Sequence, residues 1–525
     1  MEYTISLLVL FFAVTVFIGL YFRKRAKNVN DFVLGGRNVG MWLSAFAFGA
    51  SYFSAVVFVG FAGQFGWRFG TSAVWIGLGN AFIGSLMAWM VLGRRTRVMT
   101  NHLKSATMPD FFGKRYGSSG LKIGAAMIVF IFLVPYTASL YNGLSRLFTV
   151  AFGFSDPVAG FIYCVIAMAI LTGIFVVSGG YFATAVNDFI QGMVMLVGIV
   201  GVIAAVLTRN GGFSGAIEAL AYVTEKNADG VVTSAPGVFT SFFGPDPISL
   251  LGVVILTSLG TWGLPQMVAR FYSIKSEKMI SKGAIVSTVL AVIIAGGCYF
   301  IGSFGRLYWD AGNIAVGERG IIFDSIVPAM VSEFTPFMIG VVILLVFAAS
   351  ISTLSSLVMA SASTLTLDFL KGHVVKKMND KKQLLIIRFL ILVFIALSSA
   401  LAIMVYKGGI TFIAQLMSIS WGALAGSFLA PFLYGLYWKR ATRISIWCSF
   451  IFSTGLMTMN VFFPNALPTL LKSPINAGAF AMLAGLLIVP LVSAFTRAPK
   501  NEAVEHCFEC FNETVTVSVK DDLGN

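Results

Sequence analysis

The sequence predicts an all-α protein that crosses a membrane about thirteen times, and three observations lead to this class. The chain of 525 residues has a mean hydropathy of +0.88, and 58 % of its residues are hydrophobic. Only 11 % are charged, which is less than half of the ~25 % found in soluble proteins. Apolar runs recur along nearly the whole chain. Most of them are long enough to cross a bilayer as a helix, which takes about 20 residues.

The predicted spans follow one another in a single membrane domain, residues 1–497. They lie near residues 3–22, 42–63, 72–93, 123–151, 157–177, 183–207, 247–268, 282–305, 336–370, 383–406, 411–437, 442–463 and 475–495. Long polar stretches occur only near 208–246, near 309–334 and in a short tail, residues 498–525. Basic residues follow the first span and do not precede it, so we expect a retained membrane anchor and not a cleaved signal peptide.

The basic residues, which give a formal net charge of +14, follow the predicted topology. With the N-terminus outside, the C-terminus in the cytoplasm and thirteen crossings, 28 of the 36 lysines and arginines fall on the cytoplasmic side. This is the bias that orients membrane proteins in the cell membrane. The charge therefore implies no nucleic-acid partner, and nothing in the sequence implies an obligate protein partner.

Two predicted spans are interrupted by small and helix-breaking residues. Span 2, near 42–63, contains Gly49 and several other small residues, and span 7, near 247–268, contains Gly263 and Pro265. Unwound backbone at membrane depth is tolerated only where it is buried in protein or lines a cavity. The alternative is that Gly and Pro are common in membrane helices generally.

The positions of the two interruptions predict an inverted repeat. They lie five spans apart, so residues 42–207 and 247–437 form two units of five helices. An odd number of crossings inverts the second unit relative to the first. Interrupted helices at matching places in two inverted units mark the binding site of many transporters.

A stripe of small and hydroxyl-bearing residues runs along one face of span 9. Ala349, Ser352, Thr353 and Ser356 are spaced i, i+3, i+4 and i+7, which places them on one side of a helix. Such oxygens suit a hard cation such as Na⁺. The same pattern also occurs where membrane helices pack closely together.

Asp188 is an acidic residue near the predicted inner end of span 6. A carboxylate inside a membrane is costly and points to a functional site. Its position also allows a shallow, solvated place at the membrane interface. Both interpretations stay open from the sequence.

The sequence gives little support for catalysis or a resident metal centre. His102, His373 and His506 all lie outside the predicted spans, and no HExxH motif is present. Cys507 and Cys510 form one CxxC pair in the tail, whereas a structural zinc site needs a second pair of ligands.

The order of several short motifs resembles the sodium:solute symporter family, whose members share the inverted-repeat fold of the leucine transporter. The similarity covers roughly residues 1–440. The motifs are LGGR at 34–37, GAS at 49–51, MPDFF at 108–112, GG at 179–180, ND at 187–188, QG at 191–192, GLPQMVAR at 263–270, STLS at 352–355 and GLYWKR at 435–440. Each motif is unspecific alone, but their order and spacing identify the family.

The resemblance implies a sodium site between spans 2 and 9, with Na⁺ as the co-transported ion. By position, its ligands are the carbonyls of Ala50, Phe53 and Ala349 and the hydroxyls of Ser352 and Thr353. Some members of the family have a second sodium site. Its counterparts here are Asp188, Ser352, Ser355 and Ser356.

The resemblance also implies a substrate pocket of mixed polar and aromatic character. Its residues are Tyr52, Ser54, Tyr136, Thr257, Thr261 and Gln415. The motifs are closer to the proline and pantothenate branches than to the sugar branch, so we expect an amino acid such as proline or a small carboxylate such as pantothenate. Proline carriers have an Asp in place of Tyr52 and aromatic residues in place of Thr257 and Thr261, which leaves the substrate open.

Two other functions are compatible with the same architecture. A channel would conduct without alternating access, but the sequence contains no filter-like loop or ring motif. A membrane sensor would need a signalling domain, and the tail after span 13 is too short for a folded catalytic domain. A sodium-coupled symporter that works by alternating access is therefore the favoured interpretation.

Overall fold

The computed structural model confirms an all-α protein. It describes residues 2–23, 28–52, 54–225, 234–311, 314–317, 320–375, 378–408, 413–499 and 501–512. Among these, the strands are β1 (Val316–Gly317) and β2 (Gly320–Ile321), a short antiparallel pair in a loop.

The helices follow one another along the chain. They are α1 (Glu2–Phe22), α2 (Val29–Leu34), α3 (Met41–Ala50), α4 (Ala62–Phe69), α5 (Val74–Gly79), α6 (Arg94–His102), α7 (Met108–Arg115), α8 (Ser119–Phe152), α9 (Pro157–Arg209), α10 (Gly212–Ala221), α11 (Pro247–Gly263), α12 (Pro265–Ser273), α13 (Ile280–Ala291), α14 (Gly297–Ser303), α15 (Ile326–Ser332), α16 (Pro336–Thr364), α17 (Asp380–Gly408), α18 (Ile413–Tyr437), α19 (Arg443–Phe462), α20 (Pro474–Phe495) and α21 (Asn501–Phe508). Wider π-helical turns extend several of them, at Val56–Phe61, Asn80–Met87, Trp89–Gly93, Val292–Gly296 and Leu365–Val374.

Nine helical runs in the described residues are long and apolar enough to cross a membrane, or ten when α11 and α12 count as one bent span. Two of the nine contain a residue with non-helical backbone. Gly70 interrupts the run from Val56 to His102, and Gly180 interrupts α9. Both glycines lie where the sequence predicts a connection between spans. The chain is thus a multi-span helical protein, and the count of thirteen stays a prediction.

Gly70 is held in a conformation that only glycine adopts easily. Its φ is +61° and its ψ is −140°, and a Cβ atom there would lie 2.0 Å from the carbonyl oxygen of Phe239. We expect Gly70→Ala to lower the free energy of unfolding by about 3 kcal/mol or more, through strain and backbone clash. Thermal unfolding in detergent measures this. The control is Gly455→Ala, where a Cβ meets no atom within 4 Å, and equal melting of the two variants would contradict the prediction.

The structure contains both predicted interruptions. Span 2 consists of α3, which ends at Ala50, and a helical segment that resumes around Val56. Span 7 consists of α11 and α12, which are bent by 46°. The bend follows from local sequence, because Pro265 favours an extended backbone in the residue before it, and Leu264 has φ −83° and ψ 122°.

The centre of the fold lies around α16 and α18. Helix α18 is buried along most of its length and packs against α8, α11, α19 and α20. Helix α16 packs against α8 and α9. The tail helix α21 is tied to the rest by an ion pair between Lys439 and Glu505, and Cys507 and Cys510 beside it are buried.

Candidate functional site

The interruption of span 2 lies against the middle of α16. The backbone N–H of Ala55 donates a hydrogen bond to the Ser350 hydroxyl at 3.1 Å. This contact joins residues 295 positions apart in the sequence. Ala50, the last residue of α3, is fully buried here. The last carbonyls of a helix lack regular intrahelical donors, so the interruption leaves backbone oxygens available for other partners.

Three of the four residues of the predicted stripe on α16 are buried, and the fourth, Ser356, is half-buried. Ala349, Ser352 and Thr353 are all at most 3 % exposed. The Thr353 hydroxyl donates to the Ala349 carbonyl at 3.1 Å, and the Ser352 hydroxyl donates to Asp188 Oδ1 at 2.6 Å. Phe53, the remaining predicted carbonyl ligand, lies outside the described residues.

Asp188 lies in the second half of α9, and its side chain is fully buried. This contradicts the alternative of a shallow, solvated carboxylate. Its Oδ2 atom is 3.0 Å from Nη2 of Arg270, whose side chain is only 2 % exposed. The structure therefore gives Asp188 a buried cationic partner on α12.

Arg270 is the residue of this site that the sequence prediction missed. Its Nη2 atom also donates to the Ser356 hydroxyl at 2.6 Å, and its guanidinium lies 5.2 Å from the centre of the Tyr181 ring. The sequence contained one signal, which is the position of Arg270 shortly after the interrupted span 7. A basic residue that is buried at such a place needs an acidic partner, because an unpaired buried charge is costly. Asp188 is the acid that meets it.

The predicted second sodium site is brought together only in part. Ser352 contacts Asp188, and Ser356 reaches it through Arg270. The Ser355 hydroxyl donates to the carbonyl of Ile351 at 2.7 Å, within its own helix. In the described part of the chain, the Ser355 hydroxyl is thus bonded to its own helix and not to Asp188.

Three of the six predicted substrate residues line one small cavity. Tyr52, Tyr136 and Thr257 surround a space of about 10 Å³. This volume holds at most about one water molecule. The ring of Tyr136 meets Trp421 edge-on, with 5.9 Å between centroids. The cavity is therefore closed in this structure, and aromatic side chains must move before a solute can enter.

The other three predicted substrate residues lie beside this cavity and not on its wall. Thr261 accepts a hydrogen bond from the Tyr52 hydroxyl at 3.1 Å, which links span 7 to span 2. Ser54 accepts from the backbone N–H of Val57. Gln415 is half-buried at the start of α18.

The sequence prediction missed several polar and aromatic residues of the cavity wall. The additional lining residues are Ser51, Val57, Phe61, Asn80, Tyr299, Met417 and Trp421. Within the described residues, the Tyr299 hydroxyl and the Trp421 indole N–H make no hydrogen bond of normal geometry. Both are suited to meet polar atoms of a ligand. No motif marked them in advance.

An ion-pair network lies at the end of the molecule that is predicted to be cytoplasmic. Lys122 Nζ is 2.7 Å from Asp110 and 3.3 Å from Asp368, and Thr107 donates to Asp368. Burial acts to raise the pKa of Asp110, but Lys122 and Lys114 outweigh it and hold this pKa below its ordinary value. The network ties α7 and α8 to the π-helical segment that follows α16.

Comparisons with known proteins place the sequence in one family. The sequence matches the sodium:solute symporter family over residues 32–451. It is 29 % identical over 501 residues to the osmoregulated proline transporter OpuE of Bacillus subtilis (strain 168), covering 95 % of this chain and 96 % of that protein. It is 31 % identical over 450 residues to the sodium/proline symporter of Staphylococcus aureus (strain JH9), covering 84 % of this chain and 82 % of that protein.

The fold is also found among solved structures. A Na⁺-coupled sialic acid symporter in a substrate-bound outward-open state superposes with a TM-score of 0.71 at 18 % identity, covering 95 % of this chain and 98 % of that one. This likeness concerns the fold alone. The family match covers most of the chain. The similarity to the proline transporter OpuE extends over 96 % of that protein. The chain therefore belongs to the sodium:solute symporter family and is a membrane transporter, not an enzyme.

Proposed function

We propose that this protein is a symporter of the cell membrane that imports a small organic solute together with Na⁺ by alternating access. One observation carries the proposal: the interrupted span 2 contacts the middle of α16, at the level of the hydroxyl stripe, through the bond from Ala55 to Ser350. Family membership supports coupling to sodium. The two interrupted spans, at matching places in the inverted units 42–207 and 247–437, support alternating access around a site between the units.

The proposed sodium site consists of five oxygens from the two sides of this contact. They are the carbonyls of Ala50, Phe53 and Ala349 and the hydroxyls of Ser352 and Thr353. A hydroxyl that donates its proton keeps lone pairs for a cation. Thr353 and Ser352 both donate their protons elsewhere, so their oxygens are electrically suited to Na⁺.

The proposed second sodium site uses Asp188 with Ser352, Ser355 and Ser356. Its carboxylate would supply the only formal negative charge among the proposed ligands. Two co-transported cations would give a larger driving force than one, because each charge gains about 2.3 kcal/mol per 100 mV of membrane potential.

Proline is the substrate that the comparisons favour. The two named relatives are a proline transporter and a sodium/proline symporter. The cavity between Tyr52, Tyr136 and Thr257 offers aromatic faces and hydroxyls, which suit an apolar ring with polar ends. A small carboxylate such as pantothenate is the second candidate, because Tyr52, Thr257 and Thr261 depart from the proline carriers.

The test is uptake of labelled solutes into proteoliposomes that contain the purified full-length protein. A panel with proline, pantothenate, other amino acids and sugars is measured in Na⁺ and in choline. We expect Na⁺-dependent uptake of one small solute, and counterflow of that solute, which a channel does not show. Absence of Na⁺-dependent uptake across the panel, or uptake without counterflow, would contradict a symporter for these solutes.

Tyr136→Ala is expected to raise the solute KM about tenfold or more, because an aromatic wall contributes stacking and burial energy to a bound solute. The Na⁺ dependence measured at saturating solute should stay close to that of the wild type. The control is Tyr141→Ala, which truncates another buried tyrosine of α8 that does not line the cavity. Equal KM values for the two variants would remove Tyr136 from the site.

A further inference from the structure

The guanidinium of Arg270 lies where the second sodium ion is proposed to bind. Its Nη2 atom is 3.0 Å from Asp188 Oδ2 and 2.6 Å from Ser356 Oγ. The other carboxylate oxygen, Oδ1, accepts from Ser352 at 2.6 Å. A side-chain cation thus contacts two of the four proposed ligands and is one bond away from a third.

We call the four proposed ligands, Asp188, Ser352, Ser355 and Ser356, the cage. Its electrostatics allow one cation at a time. Asp188 carries one negative charge, and both side chains of the pair are almost fully buried. Within the described residues, Arg270 pairs with no second carboxylate. A sodium ion added beside the arginine would leave a net positive charge in a medium that solvates it poorly, which is unfavourable.

The structure offers Arg270 a place to move. A cavity of about 50 Å³ adjoins it, lined in part by Tyr181, Thr184 and Gln266. The side-chain amide oxygen of Gln266, Oε1, is buried and has no hydrogen-bond partner within the described residues. Gln266 lies one helical turn before Arg270 on α12, so the two side chains share a face. A displaced guanidinium would find an acceptor there.

We propose that Arg270 and a co-transported sodium ion are alternative occupants of the cage around Asp188. Arg270 neutralises the carboxylate while the site is empty, and Na⁺ displaces it towards Gln266. This rests on the proposed function of Asp188 as a sodium ligand. The ion pair with Arg270 keeps the cage neutral in the empty carrier. The empty carrier can therefore change from the inward-facing to the outward-facing state without an unpaired buried charge.

The same exchange connects the ion to the interrupted span 7. Arg270 lies on α12, the half-helix that follows the 46° bend at Leu264. Release of its side chain from Asp188 removes a buried ion pair between α12 and α9. Binding of Na⁺ therefore loosens α12 from α9.

The first test is binding of ²²Na⁺ to the purified full-length protein without solute. Arg270→Gln removes the competing cation, so the Na⁺ concentration for half-saturation should fall about tenfold or more. Arg270→Lys keeps the positive charge but replaces the planar guanidinium with a compact ammonium, and it should give an intermediate value. Arg388→Gln is the control, because Arg388 lies over the Phe32 ring and in the described residues makes no hydrogen bond or ion pair with Asp188 or the serines around it, and its titration should match the wild type.

A second measurement uses the wild-type protein and so does not depend on folding of the variant. Hydrogen–deuterium exchange of the α12 backbone should be faster in Na⁺ than in choline, because the anchor to α9 is released. An unchanged or weaker Na⁺ affinity in Arg270→Gln, or slower exchange of α12 in Na⁺, would overturn the inference alone. A wild-type protein that binds no Na⁺ would overturn this inference and the proposed function together.

Discussion

Thr353→Ala is expected to raise the Na⁺ concentration for half-maximal uptake about tenfold, since a lost contact to a charged group costs about 1.5–3 kcal/mol. Alanine keeps the small surface that α16 needs for packing and removes the oxygen. Ser352→Ala should act in the same direction, and it also removes the hydrogen bond to Asp188. A titration of uptake against Na⁺ at fixed solute measures both.

Two variants make this prediction specific to the oxygen. Thr353→Ser keeps the hydroxyl and should stay near the wild-type value. Ser398→Ala removes another buried hydroxyl that donates to a carbonyl four residues earlier, in α17 and away from the site. If Thr353→Ala and Ser398→Ala give the same Na⁺ titration, Thr353 only supports packing.

Asp188→Asn is expected to destabilise the protein and to weaken its coupling to Na⁺. It leaves the buried guanidinium of Arg270 without its counter-charge, and loss of one partner of a buried pair costs about 3–5 kcal/mol. The Hill coefficient for Na⁺ should fall from about two towards one, because one of two ion sites loses its charged ligand. Thermal unfolding and the sodium titration of uptake measure the two effects.

The double variant Asp188→Asn/Arg270→Gln separates these effects. It removes both charges, so it should recover most of the stability but not the second ion. Stability recovered together with a Hill coefficient of two would take Asp188 out of sodium binding. A wild-type Hill coefficient of one, with one Na⁺ per solute, would do the same.

Local features of the fold were predictable because short sequence stretches determine them. Pro265 sets the bend between α11 and α12, and the small residues near Gly49 mark the end of α3. The i, i+3, i+4 spacing was enough to place Ser352 and Thr353 on one buried face.

The pairing of Asp188 with Arg270 could not be read from the sequence. The two residues are 82 positions apart, and only the tertiary fold, in which the long Arg270 side chain reaches α9, brings them together. The wall residues Asn80, Tyr299 and Trp421 were missed for a similar reason. They lie on three different helical segments, and their residue types are common in helix cores.

The central claim is that an inward sodium gradient drives solute uptake. The most direct measurement is the accumulation of labelled proline, or of the solute identified by the panel, in proteoliposomes with an imposed Na⁺ gradient and an inside-negative potential. The account predicts accumulation above the external concentration, which collapses when choline replaces Na⁺ at constant pH. Accumulation that is unchanged in choline, or solute that only equilibrates in Na⁺, would contradict it.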